Sequence, residues 1–245
     1  MNGAVERQGG GGARRLGFWA GLLAAALTVV SFGLAIVAVP PVGPMCLGDC
    51  VAYPFVDPII RAKVPHDFLW MYPAVALMLT FVVLISCLHR CAPARAQDYS
   101  IIALAFATLS AGIIAADYSI QIATIQPSIV RGETEGVALL TQFNPHGVFI
   151  ALEELGYVVM SLAFLFAAPV FSGRRWFERV LRWLFVLAAL LTLGGWAVFY
   201  AVYGYGLEYR FEVFAISVNW LTLLVAGVLA SLWFRGQRGA VVAKG

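Results

Sequence analysis

Charged residues are scarce in this sequence: they make up 12% of its 245 residues, about half of the share in a typical soluble domain. Because 62% of the residues are hydrophobic, the composition excludes a soluble globular protein. It also excludes a disordered chain, which requires high charge and low hydrophobicity. No basic face interleaved with aromatic residues is present, so we expect no nucleic-acid partner. We therefore expect the chain to lie in a lipid bilayer.

Catalytic motifs are also absent. The sequence contains no H-E-x-x-H, no G-x-S-x-G, no phosphate-binding loop and no dinucleotide-binding glycine motif in a strand–helix context. No stretch between apolar runs is long enough for a separate soluble domain. The sequence therefore specifies no cofactor and no catalytic residue, and it favours a protein other than an enzyme.

Long apolar runs, by contrast, are abundant. A transmembrane helix needs roughly 20 apolar residues, and continuous runs rich in Leu, Ala and Val are typical of helices rather than of barrel strands. The pattern predicts an all-α polytopic membrane bundle with six transmembrane helices in one domain, residues 16–235, with an outer loop at 40–66. Residues 1–15 and 236–245 are predicted to be tails, the first of them disordered. The six runs are 16–39, 68–88, 99–125, 147–171, 183–203 and 211–234.

The distribution of Lys and Arg predicts the orientation. Twelve of the 16 lie before the first run, after the last run and in the connections 89–98 and 172–182, whereas four lie in the other connections. Cytoplasmic loops carry the excess of basic residues. We therefore predict a multi-pass protein of the cell (inner) membrane with both termini in the cytoplasm.

Cysteine and histidine suggest two local features of the outer side. Cys46 and Cys50 share the outer loop, where free thiols are a liability in an oxidising compartment, so we predict a disulfide between them; a reduced pair is the alternative. His146, at the predicted start of the fourth helix, is a weak candidate metal ligand, with a solvent-exposed residue as the alternative. We otherwise predict no metal site.

Polar residues inside the spans form the candidate binding site. We single out three carboxylic acids, Asp117, Glu153 and Glu154, because such residues are costly in lipid and indicate function. Asp117 and Glu153 lie at similar depths, about 12–13 Å below the outer ends of their helices. No Lys or Arg lies in the spans to pair with them. A proton, a cation or an amine must therefore compensate their charge. The predicted ligand-binding residues are Asp117, Gln121, Glu153, Glu154, Tyr157 and Asn219.

Three functions fit this pattern. Because the inner half offers only hydroxyl groups, we expect a pocket open to the outside rather than a channel, in a binding or transport protein for a cation, an amine or a lipid head group. An intramembrane enzyme would use Asp117 or Glu153 as acid or base, with His146 assisting a metal. A scaffold or assembly subunit would use the carboxyl groups as hydrogen-bonding contacts between helices. Oligomeric state is left open.

Several segments between the third and fourth runs resemble a group of bacterial multi-pass membrane proteins with six helices and no assigned activity. The resemblance implies a bacterial inner membrane and transfers no role to any residue. The segments that carry it are DYSIQ at 117–121, QPS at 126–128, RGETEG at 131–136, NPHG at 144–147 and ALEELGY at 151–157.

Overall fold

The apolar runs fold as long helices. A computed structural model of the chain describes residues 2–48, 50–51 and 59–242. Within these residues six helices are long and apolar enough to cross a membrane, and no residue forms a β-strand. The prediction of an all-helical chain with six bilayer-length helices is confirmed. The helices are α1 (Asn2–Ala35), α2 (Met71–Cys91), α3 (Gln97–Ile120), α4 (Val148–Ala167), α5 (Trp176–Tyr203) and α6 (Tyr209–Val242).

The six helices close into a ring. Each packs against its neighbours in the chain, α6 packs against α1, and α4 also contacts α6 across the ring. In the most apolar stretch of α4, 61% of the positions are buried, against 22% for α5. The interior of the bundle is therefore built mainly around α4, while α5 lies at its periphery.

The two chain termini lie at the same end of the bundle. The first half of α1 contacts the second half of α6: the hydroxyl of Ser231 donates a hydrogen bond of 2.8 Å to the carbonyl oxygen of Phe18. We call this the proximal end. The opposite, distal end is formed by the connections α1–α2, α3–α4 and α5–α6, which are the outer connections of the sequence analysis.

Both terminal helices are longer than predicted. α1 begins at Asn2 and includes residues that we expected to be disordered, and α6 continues to Val242, inside the predicted tail 236–245. Extending an existing helix is easy because the costly step is nucleation. Ala4, Glu6 and Arg7 also favour helix. Residues 1 and 243–245 of the predicted tails lie outside the described residues.

α5 also begins earlier than predicted, at Trp176 rather than at residue 183. Its first two turns hold Glu178, Arg179 and Arg182, which favour helix although they are not apolar. Long charged side chains place their aliphatic stems on apolar surface and their charged ends in water. A search for apolar runs alone therefore misses the polar ends of membrane helices.

The distal connections contain additional short helices. The loop predicted at 40–66 includes the helix Ile59–Lys63, while residues 49 and 52–58 of that loop lie outside the described residues. After α3 the chain forms a wide π-helical turn, Gln121–Ile125, and then the helix Gln126–Arg131. Pro127 lacks an N–H group and cannot donate to the carbonyl four residues earlier, which explains the interruption of the α-helical pattern.

Candidate functional site: a buried carboxyl cluster beside a distal cavity

Four carboxylic acids lie in the distal half of the bundle, and we call Asp117, Glu153, Glu154 and Glu212 the carboxyl cluster. Asp117 is in the last turn of α3, Glu153 and Glu154 are in the second turn of α4, and Glu212 is in the first turn of α6. All four residues are buried, and Glu153 is 0% exposed. Three helices thus bring their carboxylic acids to the same level of the bundle.

Glu153 is the centre of this cluster. One of its carboxylate oxygens, Oε1, accepts a hydrogen bond from the hydroxyl of Tyr118 on α3. That hydroxyl lies 2.8 Å from the hydroxyl of Tyr157 on α4. The carboxyl group of Glu212 lies within hydrogen-bonding reach of the carboxyl group of Glu153. Asp117 is close enough to interact electrostatically with both glutamates.

Glu154 points in another direction. Its Oε2 accepts a hydrogen bond of 3.3 Å from the hydroxyl of Tyr200 on α5. Adjacent residues on a helix are rotated by about 100°, so the two glutamates cannot face the same neighbour. Glu153 therefore faces the interior of the ring, whereas Glu154 contacts the peripheral helix.

The cluster has no basic partner among the described residues. The recorded ion pairs at the distal end join Lys63 to Asp67, at 3.1 Å, and Arg210 to Glu208, at 3.7 Å. Arg210 also donates a hydrogen bond to the carbonyl of Gly206 and lies over the ring of Tyr203. The guanidinium nearest to the start of α6 is thus already engaged at the surface.

Two carboxylate oxygens of the cluster are left without a hydrogen-bond donor. Oδ2 of Asp117 and Oε2 of Glu153 are both buried and unpartnered in this structure. A buried acceptor without a partner costs about 1–3 kcal/mol. Such groups in a native protein need an explanation, and a bound cation or proton is one.

A cavity of about 280 Å³ lies between the distal ends of α1, α2, α4 and α6. Among the described residues that line it, Glu212 is the only charged one. Aromatic rings form much of the wall, and aliphatic side chains such as Ile216 form most of the remainder. The aromatic lining residues are Phe32, Trp70, Phe149 and Tyr209.

On the side away from the cavity, the aromatic wall packs against further aromatic rings. The ring of Trp70 lies edge-on to the ring of Tyr118, with 5.0 Å between the centroids, and also contacts the ring of Trp220. Tyr118 is therefore both a neighbour of the cavity wall and the hydrogen-bond donor to Glu153. Through Glu212 and Tyr118, the cavity and the carboxyl cluster form one site.

The predicted site residues do not all meet. Asp117, Glu153 and Tyr157 belong to the cluster, and Glu154 adjoins it. Gln121 instead stabilises the α3–α4 connection: its side chain donates to the carbonyl of Leu140 and accepts from the backbone N–H of Gln142.

Asn219 likewise lies outside the cluster. Its amide donates 2.8 Å to the carbonyl of Ala215 and 3.3 Å to the hydroxyl of Thr192 on α5. It lies about two turns further into the bundle than Glu212, and its side chain joins α6 to α5 instead. Equal depth alone cannot show which way a side chain points around its helix.

His146 is exposed and precedes α4, which begins at Val148 rather than at residue 147. It is thus not brought together with Asp117 and Glu153, which are buried. Among the described residues, no group of three or more His, Cys, Asp or Glu side chains is placed to hold a metal ion.

Cys46 and Cys50 form a disulfide in the structure, and Cys87 and Cys91 are free thiols. The disulfide lies in the loop beside the cavity, since the neighbouring Met45 is one of the lining residues. This loop thus contributes to the distal border of the site.

Two residues of the candidate site were not identified from the sequence. Glu212 falls inside the predicted run 211–234, so a complete count of acids within the run boundaries identifies it. Tyr118 has no comparable signal, because a tyrosine in an apolar run is common and its donor role depends on the neighbouring helix.

Comparison with protein-family models, with curated proteins and with solved structures finds no match to this chain. The resemblance of its central segments to bacterial membrane proteins thus gains no support from these comparisons. Any function must be argued from the site itself.

Proposed function

We propose that this protein is a membrane binding or transport protein whose distal pocket accepts a cation, with an organic amine or an amine-bearing lipid head group as the preferred ligand. The observation that carries the proposal is the cavity of about 280 Å³ in which Glu212 is the only charged lining residue among those described. No basic side chain lines the described part of the cavity, so a positively charged ligand would be the partner of the Glu212 carboxylate.

The rest of the lining favours an organic cation over a metal ion. Four aromatic residues line the cavity, and the faces of aromatic rings attract ammonium groups, an interaction used in the recognition of quaternary ammonium ligands. Hard metal ions instead take six or more oxygen ligands. Aliphatic residues such as Val213 and Ile216 suit the carbon substituents of an amine.

The other two functions have less support. A carboxyl group that only joined helices would be expected to have hydrogen-bond partners, yet Oδ2 of Asp117 has none in this structure. An enzyme using His146 would need that residue beside the buried acids, whereas His146 is exposed.

We further propose that the distal end faces the outside of a bacterial inner membrane and that both termini are cytoplasmic. The support is the excess of Lys and Arg in the proximal connections and tails. Reporter fusions at Lys244 and near Arg131 test the orientation. A reporter at Lys244 that is active only outside the cytoplasm would contradict it.

Ligand-dependent thermal stabilisation of the purified protein tests the binding function. We expect tetraethylammonium or choline to raise the unfolding temperature of the wild type, since a ligand that binds only the folded state stabilises it. Glu212→Gln should abolish this shift. Glu208→Gln is the matched control, because Glu208 is also a distal acid but pairs with Arg210 outside the cavity.

The outcome that contradicts the proposal is equally clear. If no amine stabilises the wild type, or if Glu212→Gln responds as the wild type does, the distal pocket is not an amine site. Stabilisation by calcium or magnesium chloride alone, lost in Glu212→Gln, would replace the organic cation by a metal ion.

A further inference from the structure

Glu212 and Glu153 form the contact between the cavity and the buried interior. Glu212 lines the cavity, whereas Glu153 does not line it and is fully buried. Their carboxyl groups are within hydrogen-bonding reach of each other. Two ionised carboxylates offer only acceptor oxygens, so a hydrogen bond between them requires one proton.

The groups around this pair add negative charge rather than neutralise it. From α3, Asp117 and Tyr118 face the pair, and from α4, Tyr157 does. Glu154 points towards α5 but still lies within electrostatic range of both glutamates. Two of these are carboxyl groups and two are hydroxyls.

The remaining helices add no positive charge near the pair. α5 contributes Tyr200 through its bond to Glu154, and Tyr209 is the other titratable residue of α6 at the cavity. The lining residues from α1, and Trp70 before α2, are apolar or aromatic. Among the described residues, no Lys, Arg or His forms an ion pair with the cluster. The positive charge beside Glu212 must therefore come from a proton or from a ligand.

The bond from Tyr118 holds Glu153 in this arrangement. Because Tyr118 donates to Oε1 of Glu153, the other oxygen, Oε2, remains available and is unpartnered. The buried oxygen that lacks a donor thus belongs to the same carboxyl group that Glu212 approaches.

We propose that Glu212 and Glu153 share one proton in the empty site and that an organic cation entering the cavity displaces it. The inference rests on the proposed function, since it concerns the same pocket. The balance is simple: one monovalent cation enters, one proton leaves through the cavity to the distal solution, and the net charge of the site is unchanged. No covalent bond other than O–H is broken.

The exchange takes place with the distal solution only. Beyond Tyr157, the next hydroxyl along α4 belongs to Ser161, which donates to the carbonyl of Val158 in its own helix. Serine and threonine hydroxyls bound in this way offer no continuous chain of proton acceptors. The proton thus leaves by the route through which the cation enters.

A quaternary ammonium ion is the sharpest probe of this exchange. Tetraethylammonium keeps its charge at every pH, so any proton released on binding comes from the protein. In weakly buffered solution with a pH-indicator dye, we expect release of about one proton per bound cation, and an affinity that rises about tenfold per pH unit while the pair holds its proton.

Two variants test whether the released proton comes from the Glu153–Glu212 pair. In Glu153→Gln the amide donates to Glu212 without a shared proton, so tetraethylammonium should still bind but release no proton. Glu208→Gln, outside the cavity, should release the proton as the wild type does. If Glu153→Gln does not fold, infrared spectra of the wild type decide: the band of a protonated carboxyl group should disappear when tetraethylammonium is added.

The two proposals fail in different ways. Absence of tetraethylammonium binding in the wild type would contradict the proposed function and this inference together. Binding without proton release, with an affinity independent of pH, would overturn the shared proton and leave the amine site intact. Proton release that persists in Glu153→Gln would also overturn the assignment to this pair.

Discussion

The hydroxyl groups of the proximal half and the carboxyl groups of the distal half differ in how their hydrogen-bonding capacity is satisfied. In the proximal half, buried hydroxyls bond within or between backbones: Ser231 donates to the carbonyls of Gly227 and Phe18, and Ser161 donates to the carbonyl of Val158. In the distal half, Asp117 and Glu153 each keep one buried oxygen without a donor. Hydroxyl groups can be satisfied locally by their own helix, whereas carboxylates, which only accept, cannot.

The halves also differ in how closely their helices approach. In the proximal half, α1 and α6 touch backbone to backbone, because a Cβ atom on Gly227 would lie 2.5 Å from the carbonyl oxygen of Gly21. In the distal half, the same two helices separate and border the cavity. Small residues allow the close helix contacts that stabilise membrane bundles.

This difference indicates a division of roles. The close proximal contacts stabilise the bundle, whereas the distal half retains unsatisfied acceptors and the open space that the proposed ligand would occupy. The following predictions test whether stability and binding can be changed separately in the two halves.

The largest expected effect is on the proximal contact. Gly227→Ala should lower the free energy of unfolding by about 3 kcal/mol, since overpacking costs about 1–3 kcal/mol and here the obstacle is backbone. Denaturant titration in detergent measures it. Gly112→Ala is the control, because a Cβ atom on Gly112 meets no atom within 4 Å. Equal behaviour of the two variants would show that the contact is not close.

The disulfide at the distal end should contribute less. Reducing the bond between Cys46 and Cys50 should lower the free energy of unfolding by about 2 kcal/mol, as the chain-entropy model gives for so short a ring. Cys46→Ser combined with Cys50→Ser should not respond to reductant. Thiol labelling supplies a second measurement: without reductant, Cys91 should react and Cys46 should not. Full labelling of Cys46 would contradict the bond.

The contrast between the halves was only partly predictable from the sequence. Six spans follow from hydropathy, because lipid requires long apolar helices. The depth of Asp117 and Glu153 follows from the rise of a helix. Their convergence depends on the rotation of α3 and α4 about their axes, and an apolar surface all round a helix gives no periodic signal for that rotation.

Cross-helix partners were beyond prediction for the same reason. Gln121 lies one turn from Asp117, so their shared face suggested a shared role. Its actual partners are backbone groups of Leu140 and Gln142, which belong to the connection between α3 and α4. Residue spacing along α3 does not predict which backbone groups of a later connection lie beside that helix.

A smaller loss of stability is expected when the cluster loses its donor. Tyr118→Phe leaves Oε1 of Glu153 without a partner, which should cost about 1–2 kcal/mol. Tyr72→Phe is the control, because Tyr72 also lies at the distal end of its helix but is 50% exposed. Thermal unfolding in detergent compares them. A loss in Tyr118→Phe no larger than that of the control would show that the bond to Glu153 contributes nothing.

The smallest expected effect has the opposite sign. Asp117→Leu should raise the free energy of unfolding by about 1 kcal/mol, because it removes a buried acceptor that lacks a donor and retains the branching at Cγ. Glu154→Leu is the control and should give no gain, since Glu154 has a hydrogen bond to Tyr200 whose loss offsets the removal of the carboxyl group. Unfolding in detergent without tetraethylammonium or another organic cation measures the free energy of unfolding of both variants. If Asp117→Leu destabilises the protein as Tyr118→Phe does, then Asp117 joins helices, and the scaffold function regains support. If Asp117→Leu stabilises the protein and weakens the binding of tetraethylammonium, then Asp117 lowers stability but contributes to ligand binding.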